Sequence, residues 1–267
     1  MQKFVKKLTI ILMCLFPFSL SVTMGEPQAA GYGWGFKKNT EHKIPDVGKY
    51  KEMLDKYGAF YADHSGDKHI YLTFDSGYEE GLTDDILDIL KEEDVPATFF
   101  VAGHYVDSEP ELINRMVEEG HIIGNHSYHH PELTILTKEG MKNELETLEK
   151  AVAEVSDQKE LKFLRPPKGV FNEQTLQWSY ELGYIHIFWS LTHIDWNKTS
   201  EGWQHPYEQV MKNIHPGAII LFHTISEDNV EALKHIIPDL REQGYEFKSL
   251  DDLVLKHTLP EPILGYE

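Results

Sequence analysis

Five short stretches carry residue types suited to chemistry: Thr73-Phe74-Asp75-Ser76-Gly77, His126-Ser127-Tyr128-His129-His130, Arg165-Pro166-Pro167-Lys168-Gly169, Asp195-Trp196 and Ile219-Ile220-Leu221-Phe222-His223. His126 and His130 are four apart, one helical turn, so both rings can reach a single ion from one side. Neutral imidazole suits zinc, cobalt or nickel. Asp75 follows an apolar run, where a carboxylate is costly unless a cation, Arg165 or a metal, holds it. The prolines after Arg165 stiffen the loop that presents it. His223 ends a run too apolar for a surface, and a carboxylate such as Asp195 beside it would raise its pKa and make it a proton donor near neutrality. Trp196 and Tyr128 offer aromatic faces to a sugar ring, whereas Trp189 reads as core. Each stretch alone has a plainer reading: a solvated histidine loop, an aspartate capping a turn, a surface arginine, a core histidine.

What sets the plain readings aside is where these residues fall. Apolar or β-branched runs at Ile70 to Phe74, Thr98 to Ala102, His121 to Gly124, Phe163 to Leu164, Tyr184 to Ser190, Ala218 to Phe222 and Tyr245 to Phe247 read as buried strands. Helical stretches alternate with them. Ser108 reads as an N-cap, with Glu111 three residues on and Gly120 as the stop. Met141, Leu145, Leu148, Val152 and Val155 form one apolar stripe. Further helices are expected near Thr83 to Glu92, Asn172 to Leu182, Pro206 to Ile214 and Glu227 to Glu242, the last carrying Pro238. This α/β alternation of about seven units predicts a parallel sheet closing into a (β/α) barrel, with an open doubly wound sheet as the alternative. In a barrel the ends of the strands share one rim, so all five stretches can converge.

The chain has 267 residues, 41% of them hydrophobic, and 44 acidic against 25 basic residues. A formal charge of −19 would repel a phosphate backbone, which excludes nucleic acid as a partner. Lys3, Lys6 and Lys7 precede an apolar run from Leu8 to about Met24, so residues 1–25 read as a signal peptide and the working protein as exported to the cell envelope. Its removal takes away three lysines, no acids and Cys14, the single cysteine, so no disulfide is expected. Residues 26–67 read as a lead-in segment with one short helix around Lys49 to Tyr57, and 68–267 as one domain.

Taken in order, the five stretches resemble the five motifs of the polysaccharide deacetylase family (NodB homology domain, carbohydrate esterase family 4), over about residues 68–250. The family fold is a distorted β/α barrel. The resemblance implies metal-dependent hydrolysis of an N-acetyl amide on a glycan. Asp75 matches the catalytic base, His126 and His130 two ligands of a divalent ion such as zinc or cobalt, and Arg165 the residue that holds the base. Asp195 matches the partner of His223, itself the match to the acid, and Leu221 the wall of the acetyl-methyl pocket. A backbone N–H near Pro167 or Lys168 would join the metal in stabilising the oxyanion, and Trp196 and Tyr128 would bind sugar.

One position departs from that pattern. Ser76 stands where the family usually has a second aspartate as third metal ligand, and a neutral hydroxyl is the poorer donor. The expectation is an ion completed by water and weakly by Ser76. Asn at this place is characteristic of the subfamily of spore-cortex de-N-acetylases that make muramic δ-lactam, which Gly33-Trp34-Gly35-Phe36 and the stretches from His121 to Thr134 and from His215 to Asn229 also resemble. The implied substrate is N-acetylmuramic acid, in peptidoglycan strands, that has lost its stem peptide, used by a monomeric enzyme. The alternatives are a deacetylase of N-acetylglucosamine or chitin oligomers, and a glycan-binding protein whose site decayed at Ser76.

Overall fold

The computed structural model describes residues 30–38, 41–195 and 201–258; the expected signal peptide and Trp196 lie outside them. The strands are β1 (Tyr32–Gly33), β2 (His69–Ser76), β3 (Ala97–Val101), β4 (Ile122–Asn125), β5 (Phe163–Leu164), β6 (Val170–Phe171), β7 (Ile185–His186), β8 (Leu191–Thr192), β9 (Ala218–His223) and β10 (Glu246–Phe247). The helices are α1 (Lys51–Lys56), α2 (Thr83–Glu92), α3 (Gly103–Ser108), α4 (Pro110–Glu118), α5 (Lys138–Val155), α6 (Glu173–Glu181), α7 (Gln204–Asn213), α8 (Glu227–Glu242) and α9 (Leu250–Thr258).

Seven strands hydrogen-bond in the order β7-β5-β4-β3-β2-β9-β8, with β10 on the start of β2, and every pairing is parallel. This curled sheet with its helices is the distorted (β/α) barrel expected. Period-2 alternation divides β2: Ile70, Leu72 and Phe74 join the apolar layer under α2, α4, α5 and α8, while Tyr71, Thr73 and Asp75 point the other way, into the barrel. Leu250 and Leu253 of α9 pack with Tyr71, Phe100 and Phe163 on that inner side.

The lead-in ties the two ends of the sheet together. Phe60 pairs with Ile187 just beyond β7, and Ala62 pairs with Ala218 of β9. The crossing is close enough that a Cβ on Gly217, which has φ +76°, would lie 2.0 Å from the Asp63 carbonyl oxygen, so this position takes glycine. Tyr32 and Gly33 pair antiparallel with β6, directly after the Arg165 loop.

Two expectations need correction. Ser108 ends α3 instead of capping α4; its hydroxyl donates back to the Tyr105 carbonyl, and Pro110 at the first helical position after Glu109 starts α4. The run Tyr184 to Ser190 is not one strand. Only Ile185 and His186 of it form a strand, β7, because Phe188 turns aside to pair its N–H with Phe60 of the lead-in, and β8 begins just past the run at Leu191.

Candidate active site

The register of the sheet brings the site together before any side chain is considered. Asp75 and His223 are direct partners on adjacent parallel strands. Asn125 pairs with Leu164, so His126 and Arg165 leave neighbouring strand ends side by side.

Arg165 is fully buried, and all three of its nitrogens donate. Nη1 reaches Asp75 Oδ1 at 2.8 Å, Nη2 reaches Thr73 Oγ1 at 2.9 Å, and Nε reaches the Ile187 carbonyl at 3.2 Å. The guanidinium also lies over the Phe100 ring, 4.1 Å from its centre. Burial alone would push the Asp75 carboxyl up, but the charge of Arg165, aided by His126 and His223, outweighs it and holds the pKa below the usual carboxylate value. Asp75 is therefore ionised at neutral pH with one oxygen committed to Arg165.

Its second oxygen faces histidines. Asp75 Oδ2 is 3.6 Å from His126 Nε2, which is 3.2 Å from His130 Nε2. His126 Nδ1 lies 2.8 Å from the Arg165 carbonyl, an acceptor only, so Nδ1 carries the proton and Nε2 presents a lone pair. Burial lowers the pKa of His126 and, with the charge of His126, takes that of His130 to about 4, so both rings are neutral at pH 7. Two imidazole nitrogens this close need a proton or a cation between them. Ligands about 2.1 Å from a tetrahedral zinc would stand about 3.4 Å apart, so the pair fits a divalent ion. Among the described residues no group of three or more His, Cys, Asp or Glu makes a complete metal centre.

The histidine pair does not converge through a helical turn, as the spacing predicted. Residues 126–130 form an irregular loop in which Ser127 and His130 adopt φ of 64° and 56°. Asn125 accepts from the Ser127 N–H, and Glu144 of α5 binds both the N–H and the ring of His129, so the loop is pinned at both ends.

Ser76 does not reach this pair. It belongs to the face of β2 that carries Leu72 and Phe74, is fully buried, and accepts a hydrogen bond from the Thr224 hydroxyl at 3.4 Å. The weak third ligation expected of it is corrected accordingly; Asp75 Oδ2 is the oxygen beside the histidines.

Opposite them, His223 Nδ1 lies 2.6 Å from Asp195 Oδ1, and the His223 N–H donates to Asp195 Oδ2 at 2.8 Å. Burial disfavours the charged imidazole, but the hydrogen bond and charge of Asp195, with Asp75 beyond, outweigh it and raise the pKa above 6.5. With Nδ1 committed, the deliverable proton is on Nε2.

Asp75, His126, His130 and His223 line one cavity of about 560 Å3. Tyr128 forms part of its wall, hydroxyl on Asp107, ring against Gly103, where a Cβ would sit 2.4 Å from that ring. Leu221 is buried below His223 on the same inward face of β9. Pro167 is buried, and Lys168 is exposed with φ 58° on the turn after Arg165, close enough for its charge to act on His130. Trp189 packs near Arg165 and accepts from the Trp34 indole on its carbonyl. Sequence reasoning missed Tyr78, which is 67% exposed at the cavity mouth with its ring on His104, although an aromatic directly after Gly77 was a usable signal. It also missed Asn229, fully buried with Nδ2 2.7 Å from Asp195 Oδ2, for which a lone asparagine gives none.

A family profile described as polysaccharide deacetylase matches residues 62–187. The peptidoglycan-N-acetylmuramic acid deacetylase PdaA of Bacillus subtilis is 47% identical over 233 residues, 86% of this chain and 89% of that protein. A peptidoglycan-N-acetylglucosamine deacetylase of Bacillus cereus is 32% identical, covering 79% and 78%. The solved structure of B. subtilis PdaA, a family 4 carbohydrate esterase, superposes with a TM-score of 0.83 over 85% of this chain and 98% of that one.

Proposed function

The chain belongs to the polysaccharide deacetylase family, carbohydrate esterase family 4, and on that premise we propose that it de-N-acetylates N-acetylmuramic acid in peptidoglycan strands stripped of their stem peptide, leading to muramic δ-lactam in the spore cortex. The observation that carries the hydrolytic reading is a divided site. An ionised Asp75 held by Arg165 and a His223 whose pKa is raised by Asp195 face one cavity, with two neutral histidines beside the base.

Amide cleavage needs an activated water, a sink for the developing oxyanion and an acid for a poor leaving group. His126 and His130 would hold a divalent ion, zinc or cobalt by donor type, which when bound acidifies water and draws charge from a carbonyl oxygen. Asp75 takes the proton of the attacking water through Oδ2. Arg165 keeps that carboxylate ionised and in place. His223 gives its Nε2 proton to the amide nitrogen as the C–N bond breaks, releasing acetate and a free amine. On muramic acid that amine lies beside the lactyl carboxyl, and loss of water between them closes a six-membered lactam. A stem peptide occupies that carboxyl, hence the preference for stripped strands. Possession of both base and acid speaks against a decayed binding protein, since binding alone requires neither.

The 47% identity to PdaA supports the muramic acid reading over N-acetylglucosamine. The lysine-led apolar run at the start of the chain supports export to the cell envelope, where a monomer would meet its substrate. Acetate release from stripped strands, intact peptidoglycan and chitin oligomers, with mass spectrometry of the digested products, tests the substrate. Stripped strands should be used and the other two spared; equal use of stripped and intact strands would replace muramic specificity with general deacetylation.

A further inference from the structure

Behind the acid, the hydrogen bonds continue for two more residues. Asn229 lies in the first turn of α8, which Ser226 caps, and is fully buried. Its Nδ2 donates to Asp195 Oδ2 at 2.7 Å and to the His223 carbonyl at 3.1 Å, and its Oδ1 sits 2.9 Å from His193 Nε2. An amide has two chemically different ends, and only this orientation works: turned over, its oxygen would face a carboxylate and a carbonyl, two acceptors against an acceptor.

His193 keeps the amide from turning. It is 5% exposed, and its Nδ1 is buried with no hydrogen-bond partner among the described residues. A neutral ring has one proton, and among the described residues the place where it meets an acceptor is Nε2, opposite Asn229 Oδ1. Asp195 thus has Oδ1 on the His223 ring and Oδ2 on two N–H donors. On its far side Asp195 borders a second, polar cavity of about 330 Å3 together with His193 and His205, space into which an untethered carboxylate can turn.

We infer that Asn229, oriented by His193, is a positioning residue that holds Asp195 in the rotamer from which it orients His223. Neither residue lines the reaction cavity: Asn229 acts through Asp195 and the His223 carbonyl, and His193 acts through Asn229. The inference rests on the reading of His223 as the acid, and one readout below is independent of any reaction.

A 2.6 Å contact between an imidazole N–H and a carboxylate gives a far-downfield proton signal in NMR, observable in the protein without substrate. Asn229→Ala should weaken or abolish that signal and lower kcat at least tenfold with KM within twofold. Added to Asp195→Asn, which removes the carboxylate that Asn229 holds, it should cost a much smaller factor than in the wild-type background. A folded Asn229→Ala protein with wild-type signal and kcat overturns the inference, as does the same fractional loss in both backgrounds, the mark of general packing. If Asn229→Ala does not fold, His193→Gln, which retains a donor, should preserve signal and kcat while His193→Leu loses both; equal loss in the two overturns it. A signal that responds as described in a protein that releases no acetate from any glycan would sustain the positioning role and reject the proposed reaction instead.

Discussion

Two aspartates face the inside of this barrel, one at each end of β2, and they have opposite fates. Asp63, below, is fully buried with every lone pair answered: the Ser65 N–H at 2.9 Å and His257 at 3.2 Å on Oδ1, the Tyr71 hydroxyl at 3.0 Å and Lys256 at 3.2 Å on Oδ2. Asp75, above, gives one oxygen to Arg165 and turns the other toward a histidine pair across a cavity. Both have a cation and histidines nearby, so neither residue type nor neighbours separate a fastening from a reaction centre. The uncommitted oxygen does. A carboxylate whose partners are complete holds the lead-in to α9; one whose partners are incomplete can accept a proton.

The comparison is broken most severely at Arg165. Arg165→Met strands Asp75 as a buried unpaired charge and drops the bonds to Thr73 and Ile187, so it should cost about 3–5 kcal/mol of stability and all measurable activity, checked by denaturant unfolding beside acetate release. A stable, active Arg165→Met protein would mean that Asp75 needs no counter-charge.

A smaller effect is expected on the acid side of the site. His223 has its pKa raised above 6.5, and as the proposed acid it would act while protonated, so activity should persist into neutral pH and fall as pH rises through that raised value. Asp195→Asn removes the cause; the alkaline limb of kcat/KM should move to lower pH, with about a hundredfold loss at neutrality. An unmoved limb would assign it to another group.

Asp63 gives the smallest effect, on stability alone. Burial opposes its ionisation, but Ser65, Tyr71 and Lys256 bring the pKa down from 3.8 to about 2. A depressed carboxylate stabilises the fold above the unfolded value and loses that contribution as pH falls through the folded one. About 2 kcal/mol should therefore disappear between pH 4 and pH 2, and unfolding curves of Asp63→Asn should lack that step.

The sequence made the upper end legible and the lower end opaque, for physical reasons. Strands buried on both faces read as apolar runs, and amphipathic α2 and α8 end where their stripes and caps end, so the barrel and the rim residues could be placed. Asp63 sits in a segment attached by single bridges at Phe60 and Ala62, which leave no periodicity. The break at Phe188 and the outward turn of Ser76 come from tertiary pairing and strand alternation at a strand end, where the motif alone does not say which side chain faces in. Asn229 and His193 are isolated residues whose role exists only once α8 and β9 are packed.

The crossed measurement on the two aspartates tests the central claim most directly: acetate release and unfolding free energy for Asp75→Asn and Asp63→Asn, side by side with wild type. Asp75→Asn keeps the shape and an acceptor for Arg165 but removes the proton acceptor, so it should lose at least a thousandfold in kcat/KM with stability within about 1 kcal/mol. Asp63→Asn should lose about 2 kcal/mol and keep activity within twofold where folded. An Asp75→Asn protein that still releases acetate at near wild-type rate, or an Asp63→Asn protein that is stable yet inactive, would contradict the division of labour between the two carboxylates.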